Sequence, residues 1–375
     1  MRYYLIAGEA SGDLHGSLLI RSLKERDPKA EFRFIGGDLM IKESRMSPFR
    51  PISKFSFMGF LEVAKNLPAI FRNLREVCSD VIAYKPDALI LIDFPGFNLR
   101  IAAKVHPKGI PIYFFISPKV WAWNSKRVLK IKRDINHMLV IFPFEVDFYK
   151  KWGMDVDYVG NPLMDTIHPF QVKEEKEPGP KLGSQEKPLI ALLPGSRKQE
   201  IEKILPVMLE MVPVFPEYEF ILAGAPGFKR EYYEPYIEQY GVKLVFGQTY
   251  LLLSQSSLAL VTSGTATLET ALLHIPQVVL YKTSGLSYEI GKWVIRVPYI
   301  SLVNLIMESP VVKELIQKDC NPSRLREEIL KILPGQLARE KMLDQYRVLQ
   351  DRVGGPGASI KAAELIFTYM HQDGK

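Results

Sequence analysis

The chain has 375 residues, 47% of them hydrophobic, and a formal net charge of +7. A single core stops growing near ~250 residues, so a chain of this length is expected to form two domains. The only cysteines, Cys78 and Cys320, match neither a disulfide framework nor a zinc-site spacing, which favours a reducing compartment.

The N-terminus carries no signal-peptide pattern, because its first apolar run is shorter than the roughly 7–15 residues of such a core. No run of about 18 apolar residues is free of charge, so we expect no transmembrane helix. The chain is therefore expected to stay in the cytoplasm, with any membrane contact peripheral.

The excess positive charge belongs to one half of the chain. Up to Asp165 there are 25 basic and 18 acidic residues, and beyond it there are 24 of each. The first half is therefore expected to meet an anionic partner: a phosphorylated substrate, an acidic leaflet or a nucleic acid. A basic surface that only confers solubility is the alternative.

Short β-rich runs alternate with helix-period segments along the whole chain, which predicts two doubly wound α/β domains with parallel sheets. The runs predicted as strands in the first half are Tyr3–Ala7, Glu31–Ile35, Ala88–Ile92, Ile112–Ile116 and His137–Phe142. Those in the second half are Leu189–Leu193, Glu219–Ala223, Lys243–Phe246, Leu258–Val261 and Gln277–Tyr281. Between the two sets, Gln171–Pro188 is rich in Lys, Glu, Pro and Gly and predicts a linker or a domain-edge loop.

Doubly wound domains bind ligands beyond the carboxyl ends of their strands, so the loops that follow the strands are the candidate sites. The loop after the first strand contains Glu9, a carboxylate that helix capping does not require, although Ser11 or Asp13 as a cap explains the rest of this loop. After Ala88–Ile92, Asp93 stands among aromatic residues, where desolvation would raise its pKa and make it a better base. A turn-forming aspartate is the alternative for Asp93.

After the next strand, fifteen residues from Lys119 to Arg133 include six basic residues and no acidic one. Phosphate or lipid head groups are the natural partners of the four cations that we select here, Lys119, Lys126, Arg127 and Lys130. A solvated helix face is the alternative. RNA is disfavoured, because the aromatic residues are confined to one Trp-x-Trp.

Two further patterns have weaker support. Phe55–Val77 has the basic amphipathic pattern of a membrane-interface segment, although packed core produces the same stripe. Asp155-Val156-Asp157 matches the Asp-x-Asp of metal-dependent sugar transferases, but its alternation with Tyr158 favours a short exposed strand. The six histidines offer no ligand pair at helical spacing, so we expect no metal.

In the second half, Gly195-Ser196-Arg197 follows a strand and opens a helix. Backbone amides at a helix start, joined by a guanidinium, form a diphosphate site. The alternative is Ser196 as the N-cap with Arg197 paired to Glu200.

A second turn of small residues, Ser263-Gly264-Thr265, also opens a helix and is suited to phosphate oxygens. Glu269 is not at capping-box spacing from this turn, so a ribose diol is a sensible partner for its carboxylate. An exposed glutamate in the first turn, favoured by the helix dipole, is the alternative.

Six segments occur in one order, each beside a predicted strand or helix start: Gly8–Asp13, Ile92–Asn98, Ser117–Trp123, Leu193–Arg197, Ser263–Glu269 and Tyr299–Asn304. Each motif alone is weak, but together they are similar to the motifs of the lipid-A-disaccharide synthase family over nearly the whole chain. The resemblance implies the GT-B fold, in which two Rossmann-like domains face each other across a cleft. Combined with the linker composition, it places the first domain at residues 1–168 plus a final helix at about 352–375, the linker or edge loop at 169–187, and the donor domain at 188–351.

The resemblance also implies the reaction. UDP-2,3-diacylglucosamine would donate its sugar, with inversion, to 2,3-diacylglucosamine 1-phosphate, which yields a β-1,6-linked disaccharide 1-phosphate and UDP. No metal or other cofactor is expected. The protein would associate peripherally with the anionic inner membrane of a Gram-negative bacterium and bind no nucleic acid, while homodimerisation stays open. A nucleotide-sugar epimerase on the same fold, which needs no acceptor, is the alternative function.

Carried over by motif, Asp93 would be the catalytic carboxylate and Arg197 the essential arginine. The other residues expected on the donor side are Gly195, Ser196, Ser263, Gly264, Thr265, Glu269, Ser301 and Asn304. The residues expected on the acceptor side are Glu9, Ser11, Asn98 and Ser117. This sequence departs from the family pattern at Gly96, where many members have a second Asp, and at Asn161, where the usual residue is the His of Gly-His-Pro, so those roles cannot be transferred.

Overall fold

The structure is a computed structural model, and it describes residues 1–52, 67–173, 180–184, 186–283 and 298–373. The chain divides into two compact units. Unit 1 consists of Met1–Asp165 and Val353–Lys375, and unit 2 is Thr166–Arg352. Of the predicted linker at 169–187, residues 169–173 complete a helix, whereas residues 174–179 and Gln185 lie outside the described part of the chain.

The sheet of unit 1 has seven strands: β1 (Arg2–Ala7), β2 (Glu31–Gly36), β3 (Arg50–Pro51), β4 (Ala88–Ile92), β5 (Ile112–Phe115), β6 (His137–Val140) and β7 (Asp157–Tyr158). Their order is β3-β2-β1-β4-β5-β6-β7, and every pair of neighbours is parallel. All five residues of β4 are buried, as expected for a parallel strand covered by helices on both faces. Because all strands run the same way, their carboxyl ends meet at one edge of the sheet.

Helices connect the strands of unit 1, and the last of them runs into unit 2. They are α1 (Ala10–Arg26), α2 (Asp38–Ser44), α3 (Leu67–Tyr84), α4 (Pro95–Val105), α5 (Val120–Trp123), α6 (Val128–Asp134), α7 (Pro143–Lys150) and α8 (Pro162–Lys173). Short 3-10 turns occur at His106–Lys108 and Ser125–Arg127. One apolar core of this unit packs β4 and β5 against α3, α4 and α6.

Unit 2 repeats the arrangement with six strands in the order β10-β9-β8-β11-β12-β13, all parallel. The strands are β8 (Leu189–Leu193), β9 (Glu219–Gly224), β10 (Lys243–Phe246), β11 (Ser256–Thr262), β12 (Gln277–Tyr281) and β13 (Lys313–Ile316). The helices are α9 (Lys198–Leu209), α10 (Arg230–Ile237), α11 (Thr249–Ser254), α12 (Thr265–Leu272), α13 (Leu302–Met307), α14 (Pro322–Lys331) and α15 (Leu337–Val353), with a 3-10 turn at Glu238–Tyr240.

The final helix, α16 (Ala358–Asp373), belongs to unit 1. The carboxylate of Asp165 accepts hydrogen bonds from the first amides of α16, including those of Ala358 at 3.2 Å and Ser359 at 2.9 Å. Near the other end of the helix, the hydroxyl of Tyr369 donates to Asp157 at 3.0 Å. Within the described ranges, no helix is both long and apolar enough to cross a bilayer.

The predicted fold class is confirmed, because the chain forms two α/β units, each with a parallel sheet. All ten predicted strands are present. Strands β3 and β13, which lie at sheet edges, were not predicted. β3 has only two residues, and β13 begins with an exposed Lys313. The short strand predicted near Asp155 is present as β7.

Candidate active site

The sharpest backbone feature of unit 1 lies where β4 and β5 end. Asp93 and Phe94 follow β4 with φ of +45° and +48°, and Ile116 follows β5 with φ of +68°. The amide of Asp93 donates to the carbonyl of Phe115 at 3.0 Å, so the two strained turns are neighbours. Left-handed conformations of non-glycine residues cost of order 1–3 kcal/mol each, and a β-branched residue such as Ile116 adopts them rarely. Strain of this kind is concentrated at ligand sites, which marks this edge as the candidate site of unit 1.

Asn98 and Gly8 hold the Asp93 turn from within. Asn98 is fully buried, and its side-chain amide donates to the carbonyls of Asp93 at 2.8 Å, Ile92 at 3.3 Å and Ile6 at 3.4 Å. The ring of Phe94 lies so close to Gly8 that a Cβ at position 8 would be 2.2 Å from a ring carbon. This geometry favours a positioning role for Asn98, and its predicted contact with an acceptor stays a prediction.

The environment of Asp93 suits a base. Its side chain is partly exposed, and desolvation raises the pKa of the carboxyl group above its ordinary value. The charge of Lys119 and a hydrogen bond from the Phe94 amide oppose that rise and lower the pKa. The result is a carboxylate that binds a proton more readily than a fully solvated one, as expected of a general base. Lys119, predicted as a phosphate or lipid contact, therefore acts on the charge of Asp93.

Ser117 is buried and donates a short hydrogen bond from its hydroxyl to Glu145. The indole N–H of Trp121 donates to the same carboxylate at 3.1 Å. Ser117 is thus engaged inside the protein, and the predicted acceptor contact through its hydroxyl stays a prediction. The sequence analysis missed Glu145, and the signal that could have found it is a glutamate three residues into a helix directly after a strand.

The loop after β1 presents Glu9 and Ser11, both partly exposed. Glu9 is the N-cap residue of α1, and its side chain makes no capping hydrogen bond. Asp13 is buried, and its carboxylate accepts the amides of Gly37 at 2.7 Å and Met40 at 3.1 Å, at the start of α2. Because Glu9 is the N-cap residue, the interpretation of Ser11 or Asp13 as the cap of α1 is wrong. Glu9 and Ser11 keep their predicted acceptor role as a prediction.

The basic stretch forms part of the surface of unit 1. Lys126 and Lys130 are exposed, Arg127 is partly buried, and the side chain of Leu129 between them is 60% exposed. Burial and the nearby charge of Arg100 lower the pKa of Arg127. Cations around an exposed leucine are the composition expected of a surface that contacts anionic lipid.

The predicted interface segment Phe55–Val77 lies mostly outside the described residues, since nothing between 53 and 66 is described. Its described end belongs to α3. There, Phe71 is 57% exposed, and Arg72 and Arg75 are exposed as well. Helix α3 packs against α4, which in turn packs against α6, the helix that carries Leu129 and Lys130. The two basic and apolar segments therefore lie on the same face of the sheet of unit 1.

In unit 2, the turn after β8 is built around Gly195 and Glu200. Gly195 has φ of +103°, and a Cβ there would be 2.5 Å from the carboxylate of Glu200. Glu200 accepts the amide of Arg197 at 3.3 Å and its guanidinium at 3.3 Å. Arg197 is the N-cap residue of α9, so the interpretation of Ser196 as the cap is wrong, whereas the Arg197–Glu200 pair is present.

The turn after β11 supports the second predicted donor contact. Gly264 and Thr265 are exposed at the start of α12, and the hydroxyl of Ser263 donates to the carbonyl of Ile300 at 2.9 Å. Glu269 lies beyond the first turn of α12 and is partly buried, so the interpretation as an exposed first-turn glutamate is wrong.

The carboxylate of Glu269 has a neighbour that the sequence analysis missed. The hydroxyl of Tyr250 donates to it at 3.2 Å, and burial raises the pKa of Glu269. The ring of Tyr250 also lies 5.4 Å from that of Phe170. Tyr250 therefore orients the carboxylate that we predict to bind ribose.

Ser301 and Asn304 are buried and bonded within the protein. The carboxylate of Glu314 accepts the hydroxyl of Ser301 at 2.7 Å and the amide of Asn304 at 2.9 Å. Asn304 also exchanges two 2.9 Å hydrogen bonds with the backbone of Val312. These contacts favour a role in shaping the loop, and a donor contact through either side chain stays a prediction. Glu314 is a further residue that the sequence analysis missed.

Asn161, which departs from the family pattern, is buried at the start of α8. Its Oδ1 accepts the amide of Leu163 at 3.0 Å, so the side chain caps this helix. In the Asp-x-Asp segment, Asp157 accepts Tyr369 rather than standing open for a metal. Among the side chains that the structure describes, no three His, Cys, Asp or Glu residues are grouped closely enough to hold a metal ion.

The chain is also similar in sequence to one family of known proteins. The family model described as lipid-A-disaccharide synthetase matches residues 3–357. Lipid-A-disaccharide synthase of Syntrophus aciditrophicus is 38% identical over 98% of this chain and 97% of that protein. The Myxococcus xanthus enzyme of the same name is 37% identical with the same coverage.

Solved structures match the chain at a lower level of identity. A UDP-GlcNAc 2-epimerase from Neisseria meningitidis, bound to UDP-GlcNAc, superposes with a TM-score of 0.63 over 99% of this chain and 100% of its own, at 13% identity. At that identity the likeness concerns the fold alone.

Proposed function

The chain belongs to the lipid-A-disaccharide synthase family and is a glycosyltransferase, and we propose that it joins UDP-2,3-diacylglucosamine to 2,3-diacylglucosamine 1-phosphate. The observation that carries the proposal is the Asp93 turn, where a desolvated carboxylate is held in strained backbone at the carboxyl edge of a parallel sheet. A carboxylate in such a place can take a proton from a sugar hydroxyl.

The proposed reaction is a single inverting displacement. Asp93 accepts the proton of the acceptor 6-hydroxyl as its oxygen attacks the anomeric carbon of the donor, and the bond from that carbon to the UDP oxygen breaks. Glu9 and Ser11, partly exposed in the neighbouring loop, would contact the acceptor sugar. Inversion follows because attack and departure take place on opposite faces of the same carbon.

Unit 2 would bind the donor. The side chain of Arg197 is 55% exposed, and the amides at the starts of α9 and α12 are suited to a diphosphate. The carboxylate of Glu269, oriented by Tyr250, would accept two ribose hydroxyls. These donors stabilise the negative charge that grows on UDP in the transition state, so we propose that the reaction needs no metal.

We place the acceptor side at a membrane surface on the cytoplasmic face of the inner membrane. Both substrates of the proposed reaction carry acyl chains, and unit 1 presents exposed Leu129 and Phe71 among exposed cations on one face of its sheet. Flotation with vesicles containing anionic lipid tests this placement. Binding should fall with added salt and with the double reversal Lys126→Glu and Lys130→Glu. The matched reversal of Lys318 and Lys341, exposed lysines of unit 2, should leave it unchanged.

Product analysis tests the reaction itself. The purified protein, supplied with both monosaccharide lipids, should form disaccharide 1-phosphate and UDP in equal amounts by mass spectrometry, with or without EDTA. Incubation with the UDP-sugar alone should give no turnover. An epimerised nucleotide sugar in that second incubation would instead establish the alternative, an epimerase. A product that disappears in EDTA would refute the metal-independent mechanism.

A further inference from the structure

Lys119, the cation that acts on Asp93, lies in the loop between β5 and α5, and this loop is fixed by contacts on both sides. Upstream, β4 and β5, the strands that precede Asp93 and Lys119, pair in register, with Ile92 beside Phe115. Downstream, the loop is tied to the interior through Ser117 and Trp121, the two residues that flank Lys119 at a distance of two positions.

Both ties end on one buried carboxylate, that of Glu145. Its Oε2 accepts the amides of Ile141 at 3.1 Å and Phe142 at 2.9 Å, which is an ordinary capping arrangement at the start of α7. Its Oε1 accepts the hydroxyl of Ser117 and the indole N–H of Trp121. Helix capping therefore accounts for the contacts of Oε2. It does not account for those of Oε1, which hold the loop.

Burying a carboxylate is costly even when it is fully hydrogen-bonded. Apolar residues of similar volume in its place often stabilise a fold equally well or better. Glu145 is only 1% exposed, and burial raises its pKa while the four hydrogen bonds oppose the rise. The rings of Trp121 and Phe144 also make an edge contact, with 4.9 Å between their centroids, and this contact helps to hold the loop against α7. A rigid loop beside the strained Asp93 and Ile116 turns is what this arrangement provides.

We infer that Glu145 is a positioning residue of the Asp93 site, which holds residues 117–121 in place so that the Lys119 ammonium group stays beside the Asp93 carboxylate. The inference rests on the proposed role of Asp93 as the base. Because the cation favours the ionised form of Asp93, it keeps the base unprotonated to a lower pH than burial alone would allow.

The charged surroundings of both groups bear on the test. Among the described residues, Lys119 is the charged side chain that affects the pKa of Asp93. The backbone amide of Phe94 adds a hydrogen bond to the Asp93 carboxylate. Glu145 faces Ser117, Trp121 and the amides at the start of α7. Burial raises the pKa of Tyr149, and the charge of Glu145 adds to that rise. Tyr149 titrates far above the pH range of the assay, so it does not compete with Asp93 there.

The experiment is the pH profile of kcat/KM for disaccharide formation. Lys119→Met should move the acid limb to higher pH, because it removes the cation that lowers the pKa of Asp93. Lys119→Arg should restore the limb, and Lys108→Met, at an exposed lysine beyond α4, should leave it in place. An unmoved acid limb in Lys119→Met would overturn the inference.

Glu145→Gln should move the limb in the same direction, and the double variant with Lys119→Met should move it no further than Lys119→Met alone. A merely structural Glu145 would lower the thermal stability and leave the limb unchanged, which would also overturn the inference. If Glu145→Gln does not fold, Ser117→Ala and Trp121→Phe each remove one donor to Oε1 and provide the same comparison.

The proposed function and this inference fail in different ways. Full turnover in Asp93→Asn would remove Asp93 as the base. If Asp93→Asn is inactive but the acid limb does not move in Lys119→Met, Asp93 remains the proposed base. Only the positioning role inferred for Glu145 is then refuted. An NMR titration of the Asp93 carboxyl carbon, assigned with Asp93→Asn, measures the same shift without turnover.

Discussion

The side-chain amide of Asn98 donates a 2.8 Å hydrogen bond to the main-chain carbonyl of Asp93. Asn98 is fully buried, and the same amide nitrogen also faces the carbonyls of Ile92 and Ile6 at the ends of two neighbouring strands. A side chain that donates to three carbonyls fixes both the strained turn and the strand ends. Asn98 therefore holds the main chain at the residue that carries the proposed base.

Replacing the Asn98 amide with a carboxylate should test its three hydrogen bonds to main-chain carbonyls. Asn98→Asp keeps the shape but turns a carboxylate toward three carbonyl oxygens, so we expect the free energy of unfolding to fall by about 3 kcal/mol in urea denaturation at pH 8. The loss should shrink near pH 5, where the acid can protonate and donate. Asn136→Asp is the control, because Asn136 uses its oxygen to accept the Ile112 amide and an aspartate does the same. Equal stability of the two variants at pH 8 would contradict the contact.

Asp93→Asn removes the proposed base while keeping the turn. A general base contributes about 10²–10⁴-fold, so kcat should fall by that factor. Binding of UDP, measured by calorimetry, should be unchanged, because the donor contacts proposed above belong to unit 2. A parallel loss of UDP affinity would indicate a disrupted fold rather than a missing base.

Arg197→Met should lower kcat/KM about 10²–10³-fold, since it removes one donor to the charge that develops on UDP. Arg197→Lys should recover only part of the loss, because an ammonium group cannot bind a diphosphate bidentately. The matched control is Arg324→Met. Arg324 is an exposed arginine of unit 2 whose guanidinium pairs with a glutamate three residues on, as Arg197 does. A comparable loss in Arg324→Met would mean that the surface charge of unit 2 matters rather than the Arg197 site.

Two glycines give opposite expectations. Gly195→Ala places a methyl group at φ of +103° and against Glu200, so it should destabilise the protein by about 1–3 kcal/mol and weaken UDP binding. Gly96→Ala meets nothing within 4 Å and should be tolerated. Gly96→Asp should also fold, because the position has room for a Cβ. Thermal unfolding and UDP titration of the variants check both expectations, and a tolerated Gly195→Ala would refute the geometry of that turn.

His15 should make stability depend on pH. It is buried in α1, and desolvation lowers its pKa from 6.5 to about 4, against a smaller opposing effect of Asp165. Between about pH 4 and pH 6.5, His15 is protonated in the unfolded chain but stays neutral in the folded chain. The contribution is therefore fully present above pH 6.5 and is lost as the pH falls to about 4, by about 3 kcal/mol. Melting temperatures should fall less steeply in this window for His15→Gln than for the wild type. His371→Gln, an exposed site, should follow the wild type.

The sequence by itself determined the architecture and the main candidates. Buried parallel strands are near-continuous apolar runs, so β4, β8 and β12 could be predicted to the residue. Since ligands bind beyond the carboxyl ends of such strands, the same pattern directed attention to Asp93 and Arg197. The edge strands β3 and β13 escaped, because short strands at an edge lack a long apolar signal.

Only the tertiary structure decided which polar residues serve these positions and how. Glu145 meets Ser117 across 28 residues because the sheet brings successive loops to one edge, and Glu314 of the edge strand β13 meets Ser301 across 13. The hydrogen bonds of the Asn98 amide and the effect of Lys119 on the pKa of Asp93 likewise depend on how the elements pack. Apolar periodicity reports which residues are buried, since burial depends on the face of one element. It carries no information on which distant donor a buried carboxylate will accept, since that depends on how the elements pack.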